Sequence, residues 1–238
     1  MPRKVKNSCV LVISDMHIPY HHPDTFSFLQ AIKDSFPLDR VICIGDELDY
    51  HAISFHSSDQ DLFSAGHELE ESIKYLQFLY EDFPRMDILH SNHGSLVYRK
   101  LKHHGVPLSV LKGYNDILGA PKGWVWHNEL TIRLSDGRDC MFHHGLGSNV
   151  SQVSKNFSCN YVQGHYHSKF IVDYWGNHKD IYWSMNVGCL IDDKSLAFAY
   201  NKNTFKRPII GCGIILDGQP KLLPMILNKK GRWIKKIV

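Results

Sequence analysis

The sequence has no apolar run of membrane-spanning length, no C-x-x-C pair, no internal repeat and no low-complexity tract. The first absence argues against a transmembrane protein, which needs about 20 consecutive apolar residues. Six cysteines lie apart, at Cys9, Cys43, Cys140, Cys159, Cys189 and Cys212, mostly inside apolar runs. That scatter argues against a zinc-thiolate cluster or a disulfide framework; reduced, buried thiols in a cytoplasmic protein are the expectation. The basic start, Met1-Pro2-Arg3-Lys4, leads into an apolar run that breaks at Asp15, too short for a signal-peptide core. Neither sign of charge dominates: 27 Lys and Arg face 24 Asp and Glu, a net charge of +3 that permits an anionic substrate without demanding nucleic acid.

Histidine is what the chain has in excess, with 16 in 238 residues. Otherwise the composition, 43% hydrophobic and 21% charged, is that of a globular protein that buries a sizeable core.

Continuous apolar runs at Cys9 to Ser14 and Val41 to Ile44 read as strands buried on both faces, and Asp87 to His90 as a third, shorter one. Between them, Pro23 fits the first turn of a helix that carries Phe28, Leu29, Ile32 and Phe36 and stops at Pro37. From Glu68, the residues Leu69, Ile73, Leu76, Tyr80 and Phe83 recur at helical spacing up to Pro84. The stretch from Tyr50 to Gly66 has no periodicity and reads as a long loop with room for one short helical turn, and a helix with Leu96, Val97, Arg99 and Lys100 follows the third strand. Strands then dominate: Trp124 to His127, Leu130 to Leu134, Asp139 to His143, Asn160 to Gln163, Phe170 to Trp175, Ile181 to Val187, Leu196 to Tyr200, Ile209 to Leu216 and Lys221 to Leu227. Turn signals fall at Asp136-Gly137, Gly176-Asn177 and Asp217-Gly218. Alternating strands and helices followed by strands, with no linker, predict one α/β domain over 1–238 built on two sheets. A basic tail follows at 228–238, with Lys229, Lys230, Arg232, Lys235 and Lys236 around Trp233.

Five short pieces each follow a strand-like run: Asp15-Met16-His17, Gly45-Asp46-Glu47-Leu48-Asp49, Ser91-Asn92-His93-Gly94, His143-His144-Gly145 and Gly164-His165-Tyr166-His167. Histidines at i and i+2 of an extended segment point the same way, and the glycine before them permits a sharp turn. In this order the pieces resemble the calcineurin-like metallophosphoesterase superfamily, with Asn186-Val187-Gly188-Cys189 similar to its later Asn-x-Gly-Ser strand end. The resemblance implies a two-sheet β-sandwich flanked by helices in four layers, α, β, β, α.

It also implies a site. Asp15, His17 and His167 would hold one divalent ion, Asn92, His144 and His165 a second, and Asp46 would bridge them. His144 takes this place because it stands directly before Gly145, leaving His143 to face away. Mixed carboxylate, imidazole and amide donors suit Mn, Fe, Zn, Co or Ni. Two such ions about 3.5–4 Å apart can share a hydroxide that attacks a phosphate ester in line. In the family, the histidine in the position of His93 serves the leaving group, and Asp49 would orient its ring.

Two positions depart from the phosphoprotein phosphatases of that superfamily: Tyr50 stands where they carry Arg, and Gly94 where they carry Glu. Their glycine before Asn-His is Ser91 here. Arg99 is then the best-placed phosphate contact, with Tyr50, His51, His56 and Lys102 behind it. Tyr50, Phe55, Phe63, Trp124 and Trp126 are candidates for stacking on a base. The expected substrate is a nucleotide monoester or a nucleic-acid phosphodiester. The alternatives are a small phosphoprotein phosphatase and a non-catalytic nucleic-acid-binding or interaction module.

Overall fold

A computed structural model describes residues 7–55, 61–195, 197 and 206–238. The order of elements is β1 (Cys9–Ile13), α1 (Thr25–Ser35), β2 (Arg40–Cys43), α2 (Ala65–Asp82), β3 (Met86–Leu89), α3 (Leu96–His103), α4 (Tyr114–Leu118), β4 (Trp124–His127), β5 (Leu130–Arg133), β6 (Asp139–His143), α5 (Val150–Phe157), β7 (Asn160–Gln163), β8 (Phe170–Gly176), β9 (Ile181–Val187), β10 (Gly211–Leu216) and β11 (Gln219–Pro224). Most of the expected strand at Leu196 to Tyr200, and His56, lie outside the described residues.

The strands form two mixed sheets, ordered β11-β10-β1-β2-β3-β4 and β5-β6-β7-β9-β8. In the first, β1 to β4 run parallel, β10 pairs antiparallel with β1 and β11 antiparallel with β10; in the second, β6, β7 and β9 are parallel between antiparallel edges. The two-residue period of β1 sorts its side chains between two cores. Val10 and Val12 meet Phe142, Val162 and Met185 between the sheets. Leu11 and Ile13 face Phe28, Leu29 and Ile32 of α1 and Leu76 and Leu79 of α2. Each such aliphatic, fully buried, stabilises the fold by roughly 1.5–3 kcal/mol. On the far side, Val150 and Val153 of α5 cover Met141 and Tyr161, and Trp175 Nε1 donates to Ser154 Oγ at 2.8 Å. Two mixed sheets flanked by helices are thus stacked in four layers.

Several details differ from the sequence reading. Helix α2 starts at Ala65, capped by Ser64 Oγ accepting from the His67 N–H, and its buried stripe is Glu68, Ser72, Leu76 and Leu79. The stripe is turned because Glu68 faces the loop after β2: its two oxygens accept from His51 N at 2.7 Å and Ala52 N at 2.9 Å. This pins a short 3-10 turn, His51–Ile53, the one helical turn that the long loop was read to have room for. The basic tail is tied down. Asp24 accepts from the Arg232 guanidinium and from Trp233 N, and the Trp233 ring lies edge-on to Phe28 at 5.4 Å.

Candidate metal centre

Parallel strands end together, so the loops after β1, β2, β3, β6 and β7 emerge on one rim, the usual place for a ligand in open α/β sheets. Backbone pairing continues past the strands: Asp15 N donates to Gly45 O at 3.1 Å, and His17 N to Asp46 O at 2.8 Å. From the second sheet, Gly164 N donates to His144 O at 3.1 Å, and His165 N to Asp15 Oδ2 at 2.8 Å. A Cβ on Gly164 would lie 1.8 Å from Ser14 Oγ, so only glycine lets the two sheets meet here. Asp15, His17, Asp46 and His165 all take positive φ, at 50°, 50°, 48° and 67°. Such conformations are costly for non-glycine residues and gather at functional sites.

Three of the side-chain groupings have ligand atoms within 4.8 Å of one another: Asp15, His17 and His167; Asp46, His144 and His165; and His17, Asp49 and His93. Asn92 joins the second through its Oδ1, 2.7 Å from His144 Nε2. All seven residues expected to hold metal are therefore in one place. His143 is outside it, with Nδ1 accepting from Gly145 N at 3.1 Å. The carboxylates of Asp15, Asp46 and Asp49 form a buried floor, and His165 and Asn92 an exposed rim.

The donor set fits divalent cations. His144 Nδ1–H donates to Ile44 O at 2.8 Å, which leaves the Nε2 lone pair facing Asn92 Oδ1 and, at 3.2 Å, Asp46 Oδ2. A lone pair aimed at two acceptor oxygens calls for a positive charge between them. His17 repeats the pattern: Nδ1–H goes to Asp49 Oδ1 at 2.5 Å, and Nε2 lies 3.2 Å from His167 Nε2 and 3.6 Å from Asp46 Oδ2. Proton affinities register the same demand. Burial alone would lower the two imidazoles, but Asp15 and Asp49 push His17 up to about 10, and Asp46 pushes His144 up to about 9. Burial would likewise raise the acids, yet His167 and His17 hold Asp15, and His144 holds Asp46, well below the carboxylate range.

Asp49 differs from the expectation that it orients His93. Its carboxylate sits 2.5 Å from His17 Nδ1 but 3.5 Å from His93 Nδ1, which donates instead to the Asp49 backbone carbonyl. Ser91, read as a mere small replacement, is a hub: its Oγ accepts from Asp46 N at 2.9 Å and Gly94 N at 3.1 Å. A serine directly before a turn was the only local signal for that role. Glu47, to which the sequence alone assigns no role, is fully buried, and its Oε1 accepts from Trp126 Nε1 at 3.3 Å.

The substrate contacts sort by exposure. Tyr50 and His51 are buried, and the His51 backbone N–H donates to Glu68 Oε1 at 2.7 Å. Trp124 is core, its Nε1 donating to Phe83 O at 2.8 Å, and Trp126 is half-buried on Glu47. Phe63 stacks on Tyr20. Arg99 and Lys102 are exposed, and Arg99 Nη1 reaches the Asn92 carbonyl at 3.5 Å.

Two mixed sheets flanked by helices thus carry buried His and Asp clusters at their strand ends, the layered arrangement that the resemblance implied. No family model matches the chain, and no curated protein matches it. Among solved structures, Vacuolar Protein Sorting 29 from Cryptosporidium parvum is similar at 14% identity and a TM-score of 0.46, over 90% of this chain and 94% of that one. Vps29 from Chaetomium thermophilum is 10% identical over 97% and 94% of the two chains, with a TM-score of 0.49. A metallophosphoesterase from Sphaerobacter thermophilus is 13% identical over 90% and 86%, with a TM-score of 0.40. The functional reading stands on the site's own geometry. Among the described residues, no helix is long and apolar enough to cross a membrane.

Proposed function

We propose that this chain is a metal-dependent phosphoesterase acting on the phosphate ester of a nucleotide or a nucleic acid. The observation that carries this reading is the convergence of two imidazole and carboxylate groupings on Asp46, whose Oδ2 lies 3.6 Å from His17 Nε2 and 3.2 Å from His144 Nε2. Asp15, His17 and His167 would hold one cation, Asn92, His144 and His165 the other, with Asp46 shared. Two divalent ions there, Mn foremost and Fe, Zn, Co or Ni besides, would supply Lewis acidity toward phosphoryl oxygens and acidify water.

The chain's own groups do the rest. The Asp49 carboxylate and the Ile44 carbonyl fix the tautomers of His17 and His144, so that each turns Nε2 inward. His93 is half-buried, with Nδ1–H anchored on the Asp49 carbonyl, so Nε2 is the nitrogen left for substrate. As an imidazolium, His93 gives its Nε2 proton to the departing oxygen; the neutral ring keeps its orientation through the same carbonyl. General acid catalysis of this kind contributes about 10²–10⁴-fold. Buried Tyr50 and Gly94 offer none of the charged groups that mark phosphoprotein phosphatases, which favours a nucleotide phosphate.

The test is metal analysis and a substrate panel (a nucleotide monoester, a cyclic nucleotide, single-stranded DNA, a phosphopeptide) on one preparation. Asp46→Asn should abolish turnover and weaken both cations. His93→Ala should keep the cations and slow turnover about 10²–10⁴-fold. Full activity in Asp46→Asn would overturn the proposal.

A further inference from the structure

Charge on this chain is nearly balanced overall but segregated around the site. No Asp or Glu occurs between Asp87 and Asp116, the stretch that carries Asn92 and His93 and then Arg99, Lys100, Lys102 and Lys112. None occurs between Asp139 and Asp173 either, the stretch that carries His144, His165 and His167 together with Lys155 and Lys169. The two segments that bring the rim of the site thus bring cations and imidazoles and no carboxylate. The acids of the site lie in the buried floor. Of these cations, Arg99, Lys100 and Lys169 stand against aromatic rings, and a polyanion at the rim would meet them first.

Each segment also sets a cation against an aromatic ring. Phe55, 49% exposed, lies under Lys100 Nζ at 4.2 Å and Arg99 Cζ at 5.0 Å, with the His103 ring edge-on at 6.3 Å. The Asn92 carbonyl, 3.5 Å from Arg99 Nη1, ties this cluster to the candidate metal centre. On the other segment, Lys169 Nζ stands 5.0 Å over the Tyr166 ring, and Tyr166 is edge-on to His165 at 4.9 Å. A positively charged track interleaved with aromatic rings is what sequence-tolerant single-strand binding uses: cations follow the phosphates and rings take the bases.

We infer that the Phe55–α3 surface, with Tyr166 and Lys169, is a docking track that leads a single-stranded nucleic acid to the site. The substrate is then a polymer, gripped on several phosphates, and not an isolated nucleotide. This rests on the phosphoesterase reading for its chemistry, but the docking itself needs no metal and is tested without it.

The experiment is fluorescence anisotropy of a labelled oligothymidylate of about 20 nucleotides, long enough to cross one track. It is read with the full chain in chelator over a series of salt concentrations. The wild-type chain is expected to bind, with affinity falling steeply as salt rises. Lys100→Glu with Lys102→Glu should weaken binding at least ~10-fold and flatten the log–log salt slope by roughly 1.4, from about 0.7 per phosphate contact on a single strand. Phe55→Ala should weaken binding about 10-fold with the slope unchanged, as loss of one stacked base does. Lys221→Glu, on the exposed edge strand β11, should bind as wild type. Absence of binding at low salt, equal weakening by Lys221→Glu, or equal competition by a phosphopeptide of matched charge would each overturn the inference. Hydrolysis of a small chromogenic phosphate ester with Mn is measured separately. Failure there, with oligothymidylate binding intact, sinks the enzymatic reading and leaves the docking track standing.

Discussion

Replacing Asp49 by Asn separates two roles for that carboxylate. If it serves His93, turnover should suffer; if it serves His17, metal affinity should. The distances, 2.5 Å to His17 Nδ1 against 3.5 Å to His93 Nδ1, assign it to His17. The asparagine keeps an oxygen at the same place but loses the charge that makes the imidazole a stronger donor toward a cation. Removing an outer partner of this kind typically lowers metal affinity about 10–100-fold. That range is about 1.4–2.8 kcal/mol of binding free energy. His93 keeps its anchor, because that anchor is the Asp49 main-chain carbonyl, which the substitution does not touch. Calorimetric titration of metal-stripped protein with Mn should therefore show the weakening, while kcat at saturating Mn stays within about 10-fold of wild type, well above the loss expected from a missing general acid. Unchanged Mn affinity with kcat reduced about 100-fold or more would refute the assignment.

Ser91→Ala leaves the buried N–H groups of Asp46 and Gly94 without their acceptor and should destabilise the chain by about 2–6 kcal/mol at roughly 1–3 kcal/mol per orphaned group, read by urea denaturation. Gly164→Ala pushes a methyl group into Ser14 and Asp15 and should cost about 3 kcal/mol or more along with metal binding; a fully stable, metal-binding variant would contradict the close approach. His21, buried edge-on to Phe26 and Tyr75, is lowered to about 4, chiefly by burial. Its contribution to stability is complete above about 6.5 and is lost as pH falls toward 4, a span worth about 3 kcal/mol. Thermal melts of His21→Phe should show a flatter acid limb over that window.

The strands before the site were legible because buried parallel strands read as unbroken apolar runs, and each ran into a ligand piece. The resemblance then ordered those pieces along one rim. Helix α5 was missed: Val150 and Val153 are its only buried apolar residues amid serines, too few for a periodic signal. The trace that could have revealed it is Asn149 with Gln152, since the Asn149 side chain accepts from the Gln152 N–H as an N-cap. The burial of Tyr50 and His51 depends on Glu68, in a different element, so no local pattern announced it. Which imidazole Asp49 serves was illegible for a similar reason. His17 and His93 come from separate strands, and only the pairing of β1 with β2 brings one of them closer.

The left-handed corners at Asp15, His17, Asp46 and His165 have a consequence for how such a chain can change. Each corner would relax by roughly 1–2 kcal/mol if glycine stood there. Selection for toughness and selection for chemistry therefore pull apart at these four positions. If the site holds cations, a lineage that gave them up would harden by trading Asp and His for glycine, and each trade would raise the barrier to return.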